Sequence, residues 1–178
     1  MVAAHLGVDM PGKIDFVALF HIRMPLANHF ETSFGRQFTR DCVIVEIGVD
    51  GLIGYGECVT DREPRYGYEN VGTALHVLEA FLVPALFDAS DVSVDGYRNA
   101  VAHVRGHEMA KAGLEMALWD LAGKRQGRSL ASLFGGERSR VEVGVSVGIQ
   151  DSVEDLLEVV NRYLDDGYQR IKIKINPD

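Results

Sequence analysis

The sequence predicts an α+β domain followed by the first β-α-β unit of a (β/α) barrel that the chain does not complete, and three patterns carry that expectation. β-Branched, apolar runs at 13–24 and 40–49, then Asp50-Gly51 leading into Leu52–Val59, predict a three-stranded antiparallel meander. From about Tyr68 the apolar period becomes helical. Beyond the Gly135-Gly136 turn, a strand pattern, a capped helix and a second strand pattern follow in order.

In the meander, Asp50-Gly51 supplies the two positive-φ residues of a type I′ hairpin turn. The mixed, aromatic stretch 25–37 between the first two strands reads as an exposed loop. Val71, Leu75, Leu78 and Leu82 then form one helical stripe that Pro84 disturbs. Asp91 or Ser93 can cap a second helix running to about Val104. A third helix gathers Ala110, Leu114, Ala117, Leu118 and Leu121 on one face, with Gly127 just past its end, and Ser129–Phe134 adds a short turn.

After Gly136, Val141, Val143, Val145 and Val147 alternate as a strand. Ser152 caps a helix whose Val153, Leu156, Leu157, Val160 and Leu164 face inward, Gly167 stops it, and Arg170–Ile175 alternates again. A parallel β-α-β unit needs a sheet covered on both faces, and a closed barrel takes about 250 residues. The expected organisation is a flexible N-terminus at 1–12, an α+β domain at 13–138 and an incomplete barrel at 139–178.

Composition narrows the function. The 178 residues are 47% hydrophobic and 25% charged, enough for a buried core. A formal charge of -8, with the basic residues scattered, argues against nucleic acid or an anionic membrane as partner. No apolar run is long enough to span a bilayer and the start lacks the signature of a signal peptide, so a cytoplasmic location is expected. Cys42 and Cys58 are expected as buried thiols.

The chemistry is expected in the last strand. Lys172 and Lys174 are two residues apart and therefore share a face, with Ile171, Ile173 and Ile175 on the other. Taken alone, these residues describe an amphipathic edge strand with its lysines in water. In a parallel barrel the outer face is covered by helices and takes the isoleucines, which turns both lysines inward. A second positive charge in such a place is disfavoured, so one of the pair can give up its proton and act as a base. His107, Glu108 and Lys111 read as the solvated first turn of the third helix, and Glu57, Trp119 and Asp165-Asp166 as structural.

The segments Met24-Pro-Leu26, Thr32-Ser-Phe-Gly35, Gly54-Tyr-Gly-Glu-Cys58, Gly106-His-Glu-Met-Ala-Lys111, Leu114-Glu-Met-Ala117 and Gly144-Val-Ser-Val-Gly-Ile149, with Lys172-Ile-Lys174, resemble the enolase superfamily. Within its muconate-lactonizing subgroup they are similar to the o-succinylbenzoate synthase and N-succinylamino-acid racemase family, N-terminal portion. The resemblance implies that 13–138 is a capping domain, and that the parent enzyme abstracts a proton α to a carboxylate, for dehydration in menaquinone biosynthesis or for racemisation. Lys174 is then the acid/base, and Lys172 beside it counters carboxylate charge. Enolase-superfamily sites pair a Lys or His base with Mg²⁺, which stabilises the enediolate. Here Mg²⁺ or Mn²⁺ is expected only in the complete enzyme, with its ligands and an opposing lysine beyond Asp178.

Three further positions carry over as substrate-binding candidates. Ser146 points with Gly144 and Gly148 to the barrel interior, Phe30 sits in the loop that reaches over the mouth, and Asp61 sits in the second capping loop. Asp61 and Glu31 stand where relatives often carry an apolar and a basic residue, and two added acids would disfavour an anionic substrate. The parent enzyme is expected to act on a small carboxylate as a homo-oligomer, and this chain alone to be inactive. The alternatives are a dipeptide epimerase or muconate cycloisomerase relative, or a non-catalytic binding or oligomerisation module.

Overall fold

The computed structural model describes residues 12–32 and 35–175. Residues 1–11, which make up nearly all of the expected N-terminal tail, lie outside it, as do Ser33 and Phe34 of the Thr32–Gly35 segment. The described chain forms two compact units. One comprises the chain up to Arg23 together with Asp41–Glu137, the other Met24–Arg40 together with the chain from Arg138 onward.

The three-stranded sheet has the order β1 (Ile14–Thr32), β2 (Gly35–Val49), β3 (Leu52–Cys58), with residues 24–32 of β1 and 35–40 of β2 counted in the second unit. β2 and β3 pair antiparallel from Val49↔Leu52 to Val43↔Cys58, and the turn between them has positive φ at both Asp50 and Gly51, as Asp-Gly requires. The strands β1 and β2 run well beyond the expected limits, so residues 25–32 and 35–37, expected as an exposed loop, are strand. Because β1 is an edge strand, it can carry Pro25, whose missing N–H need not face the neighbouring strand.

Helical chain runs without a break from Val71 to Phe87, as α1 (Val71–Val77), a π-helical turn (Leu78–Leu82) and α2 (Val83–Phe87). Pro84 is accommodated in the first turn of α2, where its ring meets no preceding α-helical hydrogen bond. The buried stripe is wider than expected: Ala74, Val77 and Leu86 are buried with Val71, Leu78 and Leu82, while Leu75 is only partly so. Asn70 caps α1 in a reciprocal box with Thr73. Ser93 caps α3 (Val94–Ala100) through the Gly96 N–H.

α4 (Glu108–Gln126) is the central helix, and the whole predicted face Ala110, Leu114, Ala117, Leu118 and Leu121 is buried. Gly127 ends it in the left-handed conformation. Two glycines of β3 let α4 come close. A Cβ on Gly56 would stand 1.9 Å from the Gly113 carbonyl oxygen and one on Gly54 2.2 Å from that of Ala117, so bare backbone faces bare backbone there. α5 (Leu130–Leu133), capped by Ser129, follows. Cys42 and Cys58 are buried thiols, and burial pushes the Cys58 thiol up from its ordinary pKa.

The second unit contains β4 (Val145–Val147), α6 (Val153–Asp165) and β5 (Ile171–Ile173), with β4 and β5 parallel: a β-α-β unit. Its strands are shorter than the alternation predicts. Val141 and Val143 lie outside β4 and are 71% and 64% exposed, because alternation makes a strand only where a partner ladder exists. The Ser152 cap is present, yet Val153, Leu157 and Leu164 of α6 remain exposed and Leu156 and Val160 only half-buried. The apolar stripe of the helix is wider than a two-stranded sheet covers.

Candidate active site

The second unit holds four of the five residues singled out by the sequence. In the β4–β5 ladder Ser146 is the register partner of Lys172, which places both side chains on one face. Val145, Val147, Ile171 and Ile173 take the other face, and α6 packs against β4. The ladder's backbone bonding continues one residue past β5, where the Lys174 N–H donates to the Val147 carbonyl at 3.1 Å. Lys174 is half-buried, and its Nζ stands over the Phe30 ring, 3.9 Å from the centroid. That is a close cation–π contact, and it also covers the ε-carbon stem. Lys172 and Ser146 are exposed.

Asp61 belongs to the first unit. Its carboxylate accepts from the Arg62 N–H at 2.7 Å, and its carbonyl accepts from the Val71 N–H at 2.9 Å in a short bridge to Asn70. These bonds shape the turn that leads into α1.

Sequence reasoning missed the ion cluster next to Phe30. Arg36 donates from Nε to Glu31 Oε2 at 2.7 Å and from a terminal nitrogen to Asp151 Oδ1 at 2.6 Å. The cluster joins two segments 115 positions apart in the chain, a separation that no local pattern reveals. The bond from Arg36 holds the Asp151 carboxyl below the usual carboxylate range, and Asp151, then Glu31, push the guanidinium pKa up. Glu31 is therefore an acid matched by a cation, which removes half of the reason for expecting an anionic substrate to be disfavoured. Among the described residues no three His, Cys, Asp or Glu side chains converge on a point where a cation would sit. The donor set among the described residues does not fit a divalent-metal centre.

The first unit's sheet and helices match a known domain. The mandelate racemase / muconate lactonizing enzyme N-terminal domain model covers residues 15–135. The chain belongs to that family. Its relatives include the o-succinylbenzoate synthase of Geobacillus kaustophilus, 46% identical over 166 residues, and the N-succinylamino acid racemase of Thermus thermophilus, 46% identical over 165. Each alignment covers 93% of this chain but only 44% and 45% of the relative. Among solved structures, a member of the enolase superfamily from Listeria innocua superposes with a TM-score of 0.84 at 36% identity, again over 93% of this chain and 44% of that one. The chain thus spans less than half the length of these mandelate racemase / muconate lactonizing enzyme relatives.

Proposed function

We propose that this chain is the N-terminal part of an o-succinylbenzoate synthase or N-succinylamino-acid racemase, an enzyme that removes the proton α to a carboxylate. The observation that carries the reading is the shared face of Ser146, Lys172 and Lys174 with the Phe30 ring set over the Lys174 ammonium. Lys174 takes the α-proton onto Nζ as the neutral amine or returns it as the ammonium, and the aromatic cover keeps competing water from one side of that nitrogen. Lys172 lies on the same face and offsets the substrate carboxylate as negative charge develops on it. Ser146, opposite Lys172, supplies a hydroxyl for a polar substrate atom. Asp61 is assigned to the substrate by resemblance alone.

In this proposal the β4-α6-β5 unit opens a (β/α) barrel, 13–138 is its capping domain, and the complete enzyme is a cytoplasmic homo-oligomer. The ligands of Mg²⁺, which would stabilise the enediolate, and the opposing base are assigned to the part of the relatives' length that this chain does not span. The chain alone is therefore inactive.

The test uses both the chain and the longer protein that continues it. In D₂O with Mg²⁺, the longer protein is expected to exchange the α-proton of N-succinylamino acids or to dehydrate the o-succinylbenzoate precursor, and the chain alone to do neither. Lys174→Ala in the longer protein removes about 2 to 4 orders of magnitude of rate, the usual contribution of a positioned acid/base. Turnover of neither substrate class by the longer protein overturns the assignment.

A further inference from the structure

We propose that Arg36 is a positioning residue: by tying Glu31 to Asp151 it fixes the neighbouring Phe30 ring over the Lys174 ammonium. The inference deepens the reading of Lys174 as the base and rests on it for its functional arm. Four contacts within the second unit carry it. Arg36 binds Glu31, the residue next to Phe30 at the end of β1, and with the same guanidinium binds Asp151, in the loop between β4 and α6. A Cβ at Gly148 in that loop would lie 3.6 Å from the Glu31 carbonyl oxygen, so the loop backbone packs against the Glu31 backbone as well. Lys174 donates its N–H to Val147, the residue before Gly148. Phe30 and Lys174 are thus anchored to the two ends of one short stretch, Val147–Asp151, and Arg36 closes the circuit.

A planar guanidinium can serve two carboxylates in fixed directions at once, which an ammonium does less well. A cluster with no positional role would give no reason to prefer arginine. With Asp151 largely exposed, the bond alone contributes little to stability, so its removal leaves the fold in place. What changes is the placement of one ring relative to one nitrogen.

The experiment compares Arg36→Lys, Arg36→Gln and Asp151→Asn in two arms. In the chain itself, ¹H–¹³C NMR of the Lys174 ε-methylene reports the ring through its upfield ring-current shift, assigned by its disappearance in Phe30→Leu. Arg36→Gln and Asp151→Asn are expected to move this resonance most of the way to the Phe30→Leu position, and Arg36→Lys part of the way, while Trp119 fluorescence stays unchanged. In the longer protein the same variants lose about two- to fivefold in kcat with KM little changed, the worth of one cation–π contact at a half-exposed site. An unmoved Lys174 resonance in Arg36→Gln and Asp151→Asn overturns the positioning role whatever the activity. A shifted resonance with an inactive wild-type longer protein upholds the positioning and places the failure in the reading of Lys174 as the base.

Discussion

Replacing Gly56 by alanine tests the close approach of α4 to β3. Cβ atoms essentially never come within 3.0 Å of another group, yet the added one would stand 1.9 Å from the Gly113 carbonyl oxygen and 2.8 Å from the Ala117 nitrogen. Both obstacles are backbone, so no side chain can swing away, and α4 must withdraw by about 1.5 Å to restore ordinary contact. A gap of that size forfeits roughly half of the dispersion energy across it. Leu114, Leu118 and Leu121 all lie on the withdrawn face and are 0–2% exposed. At about 2 kcal/mol for each buried leucine, losing half of three such burials costs about 3 kcal/mol, the upper end of what overpacking does. Urea unfolding followed by Trp119 measures it, because the single tryptophan lies in α4 with its ring edge-on to Phe134 at 4.8 Å. Gly51→Ala is the control. Its Cβ would meet nothing within 4 Å and only the φ of +78° is unfavourable, which costs about 1 kcal/mol. If Gly56→Ala proves no more destabilising than Gly51→Ala, helix and strand are not in backbone contact there and the argument fails.

Two further perturbations address the first unit. Glu69 is buried, and its carboxylate accepts from the Met109 and Ala110 N–H groups at 2.9 and 3.1 Å, capping α4 from forty positions away in place of an ordinary N-cap. Glu69→Gln keeps the shape but has only one acceptor oxygen, so a loss of about 1 to 2 kcal/mol is expected by urea unfolding, and an unchanged midpoint would show that the cap contributes nothing. Burial by itself would raise the pKa of Asp41, but hydrogen bonds from His21 at 2.8 Å and Arg23 at 3.1 Å outweigh it and hold the carboxyl below its ordinary value. A carboxyl depressed by folding stabilises fully above its unfolded pKa, about 3.9, and loses that contribution as pH falls through the lower folded value. Thermal unfolding of wild type should therefore weaken more steeply below about pH 4 than that of Asp41→Asn, and parallel curves in that window would refute the linkage.

Elements defined by a repeating local pattern were legible in the sequence. The Asp50-Gly51 turn, the Ser93 and Ser152 caps and the buried face of α4 each depend on residues within a few positions of one another. Where the outcome depends on a partner distant in the chain, the sequence was less informative. Pro84 looked like an interruption because the π turn before it is set by packing, and Val141 and Val143 looked like strand because alternation carries no information about whether a ladder partner is present. The Glu69 cap was invisible for the same reason, as α4 opens on His107, with a φ of +57° and no capping bond from its own side chain.

The lysine pair shows how these two kinds of information combine. Alternation put Lys172 and Lys174 on one face, and the ladder adds Ser146 to that face opposite Lys172. It gave the two lysines equal standing, however, and the structure separates them. Lys172 is exposed, whereas Lys174 is half-buried under the Phe30 ring. That asymmetry comes from a segment some 140 positions earlier in the chain, held near the β4–α6 loop by Arg36. A base needs a defined orientation and partial shelter from water, and a bare strand provides neither. The strand supplies the proposed functional groups, and the β1–β2 segment from the other end of the sequence gives one of them its setting. For that reason Arg36, which touches neither lysine, is the more informative residue to replace.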